Sequence, residues 1–258
     1  QAEELGLLCM FKSFCEARGL QWSLAYGTLL GAVRHKGFIP WDDDVDILMP
    51  REDYDRFLKE PLNNEFADTI VPGTGEPWLF AKLCSKRTLW NETYTKHSDR
   101  LGVFIDVFPW DTVDENRAAS LYKKARNTSR FFYYGYAHDY SDNRYANAKG
   151  AMKRAIGAVS RVVPKERYLR KLDSLVPRDE QGGAAKGRLN LFSPYSFEKE
   201  FALEADCRGV IELEFEGHKF PCLGDPEKHL ARLYGDNWRT PIKQEEHLHG
   251  QAYWRDSQ

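Results

Sequence analysis

Three aspartates in this chain stand in unusually apolar company. Asp44 and Asp46, one residue apart, lie in Trp41-Asp-Asp-Asp-Val-Asp-Ile-Leu-Met49, and Asp106 lies in Gly102-Val-Phe-Ile-Asp-Val-Phe-Pro109. The β-branched and apolar content of both stretches predicts buried strands, and a spacing of two puts Asp44 and Asp46 on one strand face. Like charges held there repel each other and lose hydration, so a cation between them is needed. Hard carboxylate oxygens suit Mg²⁺ or Mn²⁺, and Mg²⁺ is usually held by one or two carboxylates plus substrate phosphates. Asp106 is either a third ligand or the salt-bridge partner of a cation such as Lys82. The ligand reading is preferred, because an ion needs more oxygens than two side chains supply. Asp42 and Asp43 read equally well as solvated loop residues. An EF-hand fits poorly, since Ile47 stands where that loop needs glycine and Asp53 where it needs a bidentate glutamate.

Just before the acidic run lies a candidate phosphate site. Gly27 follows the apolar run Trp22, Leu24, Tyr26, where a sharp turn is expected, and Thr28 is placed to N-cap a helix from Leu29 to Arg34. The free N–H groups of such a first turn suit an anion. Pro40 ends the helix, and the carboxylate strand follows.

These residues need a scaffold, and the rest of the chain supplies its elements. An amphipathic helix is expected over Leu5 to Cys15, stopped by Gly19, and another over Arg51 to Leu58. Phe80 to Thr88 reads as one strand whose mixed faces suggest an edge looking into a cleft. From Asp114 to Val176 the periodicity turns helical, with Pro164 as a break, and aromatic residues crowd between Phe131 and Tyr145. Such rings could cage a quaternary ammonium, but packing is their commoner use. Val210 to Cys222 alternates as a hairpin turning at Glu216-Gly217, and Asp225 caps a last helix, Pro226 to Tyr234. The expected division is a catalytic core over 1–113, a helical insertion over 114–180, and a hairpin and helix over 181–258 that complete the core.

With 258 residues, 42% hydrophobic content and a net charge of −2, the chain has the balance of an ordinary globular protein. No apolar run approaches the roughly 18 residues that cross a bilayer. Nothing predicts a nucleic-acid partner. Five cysteines without C-x-x-C spacing indicate neither a zinc site nor a disulfide framework and favour a reduced, cytoplasmic setting, although Cys207 and Cys222 could meet across the hairpin. The segment from Arg144 to Lys171 is strongly basic, with Glu166 its only acid, and could make peripheral contact with a membrane. A solvated helix face is the plainer alternative. His247 and His249 near the end could bind metal or phosphate, with exposure as the default.

A glycine-threonine turn before a helix, an Asp-Val-Asp strand and a later strand aspartate, in that order, resemble the nucleotidyltransferase-like superfamily. More closely, Tyr26-Gly-Thr-Leu-Leu-Gly-Ala-Val-Arg-His-Lys-Gly-Phe-Ile-Pro-Trp-Asp-Asp-Asp-Val-Asp46 resembles the LicD family of phosphocholine transferases, relatives of fukutin and fukutin-related protein. The likeness extends to Ala81-Lys82 with Lys86-Arg-Thr88, to Gly102 through Pro109, and to Glu214-Phe-Glu-Gly217 with Tyr234-Gly-Asp236. The resemblance implies an α+β fold with a nucleotidyltransferase-like mixed sheet flanked by helices. It implies a metal-dependent transfer of phosphocholine from CDP-choline to a sugar hydroxyl of a glycan or lipid-linked glycan, with release of CMP. By the same resemblance Asp44 and Asp46 look like the metal-binding pair, Asp106 like the third carboxylate and a candidate base, and Gly27 and Thr28 like holders of donor phosphate. Arg34, Lys82 and Arg87 are candidates to pair with the diphosphate. Transfer of ribitol or glycerol phosphate from its CDP donor, true nucleotidyl transfer, and a non-catalytic nucleotide- or glycan-binding relative are the alternatives.

Overall fold

Helix α1 (Ala2–Arg18) turns Leu7, Leu8, Phe11 and Cys15 inward and ends at Gly19, whose φ of 59° only glycine adopts at little cost. Phe11 meets Trp22 and Phe57 edge to face, which seats α1 on the sheet and on α3 (Arg51–Lys59). The computed structural model describes residues 1–92, 95–141, 147–178, 186–241 and 250–255. His247, His249, Arg144 and Tyr145 lie outside that set.

The core is a seven-stranded mixed sheet. Strands β1 (Ser23–Leu24), β2 (Asp46–Pro50), β3 (Ala67–Ile70), β4 (Ala81–Ser85) and β6 (Phe104–Asp114) stand in the order β1-β2-β6-β4-β3, while β5 (Thr88–Glu92) lies apart. Only β2 and β6 run parallel, and every other pairing in the sheet is antiparallel. Between β1 and β2 the chain forms α2 (Tyr26–His35). After β6 come α4 (Glu115–Phe132), capped by the Asp114 carboxylate on the Asn116 N–H, a π-helical turn (Tyr133–Ala137), α5 (Ala148–Ser160) and α6 (Lys165–Asp173). Strand β7 (Lys186–Leu189) then returns to pair with the far half of β6, and α7 (Phe197–Glu200) and β8 (Ala202–Leu203) follow. The helices are thus a true excursion between two neighbouring strands. Hairpin β9 (Val210–Phe215) and β10 (His218–Leu223), helix α8 (Pro226–Tyr234) and β11 (Gly250–Trp254), which pairs with β5, complete the chain.

Several elements differ from the sequence reading. Phe80 to Thr88 is not one strand: it turns at Lys86-Arg87, and β4 is buried along its whole length between β3 and β6. Its charged residue, Lys82, faces a buried carboxylate instead of a cleft. Strand β6 runs on to Asp114 past Pro109, because the proline falls in the gap between its antiparallel partners β4 and β7, where no ladder N–H is missed. Beyond that gap Asp111, fully buried, receives a fork of two hydrogen bonds from Arg51 and ties α3 to β6. Cys207 and Cys222 do not pair, and all five cysteines are free.

Candidate active site

The parallel pairing of β2 with β6 puts Asp46 directly beside Asp106 in register. Both carboxylates, together with Asp44 and Asp42, line a cleft of about 930 Å³ at the end of the sheet. Asp46 is pushed well above the usual carboxylate range, first by burial and then by Asp44, Asp106 and Asp42. Asp106 is raised to about 6 by burial, against the pull of Lys82. Burial and the neighbouring carboxylates thus both work against charge on Asp46.

For Asp106 the structure shows the salt bridge that the sequence reading ranked below the third-ligand role. Lys82 Nζ donates to Asp106 Oδ1 at 2.7 Å, stands 3.5 Å from Glu92 and lies over the Phe104 ring. Burial opposes the lysine's charge, but the two carboxylates more than offset it and its pKa is raised. Lys82 is thus placed behind Asp106 and does not line the cleft. Among the described residues no three His, Cys, Asp or Glu side chains gather tightly enough to hold an ion by themselves. Adjacent strand carboxylates opening onto a large cleft fit the other kind of Mg²⁺ site, where one or two side chains share the ion with substrate phosphates.

The glycine turn is built differently from the expectation. Helix α2 starts at Tyr26, with Ala25 as an N-cap that offers no side-chain bond, so Thr28 is inside the helix. Its hydroxyl is buried and accepts the backbone N–H of Asp46 at 2.8 Å, so it aims the carboxylate strand instead of capping. The left-handed residue is Tyr26, at φ 43°, and not Gly27. Gly27 is needed for close approach: a Cβ there would sit 2.6 Å from Asp42 Oδ2. An acidic group of this chain therefore already faces the helix start that the sequence reading gave to a donor phosphate. Tyr26 is held by its hydroxyl, which donates to the buried Glu200 and accepts from the Asn190 side-chain amide.

Of the three expected cations only Arg34 lines the cleft, where it also donates to the Trp238 carbonyl at 3.3 Å. Arg87 sits in the β4–β5 turn, paired with Glu3 at 2.5 Å on an exposed surface. Among the described residues Lys199 is a second cation in the lining, over the Tyr195 ring at 6.0 Å, and nothing in the sequence singled it out. The aromatic wall is equally dispersed. Phe80 packs on Phe108 at 4.2 Å, Tyr26 stacks on Tyr195 at 5.5 Å, and Tyr195 meets Tyr234, hydroxyl to hydroxyl, at 3.3 Å. Among the described residues of the Phe131–Tyr145 cluster only Tyr133 lines the cleft; Phe132 is core, and Tyr136 donates to the Val163 carbonyl.

Carboxylates on adjacent strands of a mixed sheet, lining a cleft beside a short helix whose first turn holds Gly27, define a nucleotidyltransferase-like protein. The model of the LicD/FKTN/FKRP nucleotidyltransferase domain matches residues 19–142. The lipopolysaccharide cholinephosphotransferase LicD of Haemophilus influenzae is 30% identical over 95% of this chain and 92% of its own. This chain belongs to the LicD/FKTN/FKRP family. Shorter similarities reach the ribitol 5-phosphate transferase FKRP of Homo sapiens, 41% identical over 24% of this chain and 12% of that protein, and an uncharacterised protein of Rickettsia typhi, 53% identical over 40% and 33%.

Proposed function

We propose that this protein transfers phosphocholine from CDP-choline to a sugar hydroxyl of a glycan or lipid-linked glycan, releasing CMP. The observation that carries the reading is the register match of Asp46 with Asp106 at the mouth of a cleft large enough for a dinucleotide-like donor. Similarity to a cholinephosphotransferase along nearly the whole chain supports the choice of cargo. So does the aromatic wall, since Tyr and Trp faces attract a quaternary ammonium.

Asp46 and Asp106, with Asp44 beside them, would hold Mg²⁺ or Mn²⁺, which supplies charge neutralisation to the diphosphate of the donor. Phosphoryl transfer asks a protein mainly for positioning and for charge at the moving group. Arg34 and Lys199, which line the same cleft, would meet diphosphate oxygens. Asp106 is also the candidate to accept the proton of the acceptor hydroxyl, by its place in the cleft lining beside Asp46. Lys82 then holds that carboxylate in place.

A second cargo, ribitol or glycerol phosphate, is favoured by the local similarity to the ribitol 5-phosphate transferase FKRP and by the polar groups Asn237 and Thr240 in the lining. A donor screen in the presence of Mg²⁺, scored for CMP, decides. Release from CDP-choline supports the proposal, and release from CDP-ribitol or CDP-glycerol alone selects the second cargo. Pyrophosphate from a nucleoside triphosphate, or binding without turnover of any donor, overturns both.

A further inference from the structure

Helix α5 packs the wrong way round for an ordinary surface helix. Its buried residues are Gly150, Gly157 and Ser160, while Met152 and Val159 are 60% and 70% exposed, and Val162, just past its end, is 82% exposed. The glycine side is pressed onto the π-helical turn so closely that a Cβ on Gly157 would lie 2.5 Å from the Tyr134 carbonyl oxygen. Arg161 donates to the Gly135 carbonyl at 2.7 Å and fastens the end of the helix there. Nothing in that packing needs the aliphatic side chains. At 3.6 residues per turn, Met152, Ala155 and Val159 share one outward strip, bordered by Lys149 on one flank and Arg154 on the other. From Lys149 to Lys171 there are eight lysines and arginines and one acid, Glu166.

An apolar strip with cations along both edges matches one kind of surface. Aliphatic groups enter the boundary between headgroups and acyl chains while lysines and arginines meet anionic headgroups, which is how an amphipathic helix lies in the plane of a bilayer. We infer that the exposed face of α5, extended by Val162, docks on an anionic membrane surface. The π-helical turn on which α5 packs also supplies Tyr133 to the cleft wall. The inference rests on the packing of α5 and not on the chemistry proposed for the cleft.

The test is cosedimentation of the whole chain with vesicles of phosphatidylglycerol and phosphatidylcholine in equal parts, against phosphatidylcholine alone. Binding is expected to the first and not to the second, weakening as salt is raised. A Met152→Ser, Val159→Ser, Val162→Ser variant should bind roughly tenfold more weakly with the same thermal unfolding, because these side chains already face solvent. A Lys149→Glu, Arg154→Glu variant should also bind more weakly and lose most of the salt dependence. Absence of binding to the anionic vesicles, or equal binding by the serine variant, overturns the inference. So does light scattering that finds a dimer in the parent and a monomer in the serine variant, because the face would then belong to a second copy.

Discussion

The hydroxyl of Thr28, in the first turn of α2, accepts the backbone N–H of Asp46 at the start of β2. One turn of helix thereby fixes where the carboxylate strand begins, and Asp46 in turn accepts the Ala25 N–H at 3.0 Å. Thr28→Val keeps the shape and removes the acceptor. It should cost about 1–3 kcal/mol and lower turnover, whereas Thr28→Ser should retain both. Chemical denaturation alongside CMP release checks the pair; an active, fully stable valine variant would refute the positioning role.

Asp46→Asn separates function from stability. The carboxylate is buried among Asp44, Asp106 and Asp42, so neutralising it relieves repulsion while keeping its volume. Thermal stability should hold or rise, and CMP release should fall at least roughly a hundredfold. Loss of activity accompanied by an equal loss of fold would argue for a structural role alone.

Lys82 is a buried charge serving two carboxylates, and removing it leaves Asp106 uncompensated. Lys82→Met should destabilise by about 3–5 kcal/mol. The double variant Lys82→Met, Asp106→Asn should recover part of that loss without recovering activity. A double-mutant cycle in urea measures the coupling, and additive losses would mean that the pair does not interact.

A cation that lines the cleft and a cation outside it should behave differently. Lys199 is exposed, so Lys199→Ala should leave stability unchanged while raising KM for the CDP donor about tenfold, as expected for a charged hydrogen bond to phosphate. Arg87→Ala should leave kinetics alone, since its guanidinium is paired with Glu3 away from the cleft. Kinetics with CDP-choline compare the two, and an effect only in the Arg87 variant would reverse the assignment.

Much of the architecture was legible because it is local. Asp225 before Pro226 and Gly235 after Tyr234 mark the ends of α8 by capping chemistry, and Glu216-Gly217 marks the hairpin by its need for positive φ. Pro164 likewise announced the start of α6. The split of Phe80–Thr88 and the run of β6 past Pro109 were hidden, because each depends on which strand lies alongside. The misread start of α2 is of the same kind: Tyr26 holds a left-handed backbone while Glu200 and Asn190, far along the chain, grip its hydroxyl.

The sequence by itself determined that Asp46 and Asp106 are acidic groups in strands too apolar to leave them uncompensated, and that a short helix separates the first strand from the second; it misplaced Asp44, which lies before β2 begins and so does not share a strand face with Asp46. Those conclusions need only residue type, period and turn chemistry. The tertiary structure alone decided that Asp46 and Asp106 fall in register, that Lys82 backs the site while Lys199 faces it, and that the cleft aromatics come from separate segments. Such relationships are set by strand pairing and by the chain's return after a long helical excursion, and no spacing along the sequence encodes which side of a strand a distant residue will meet.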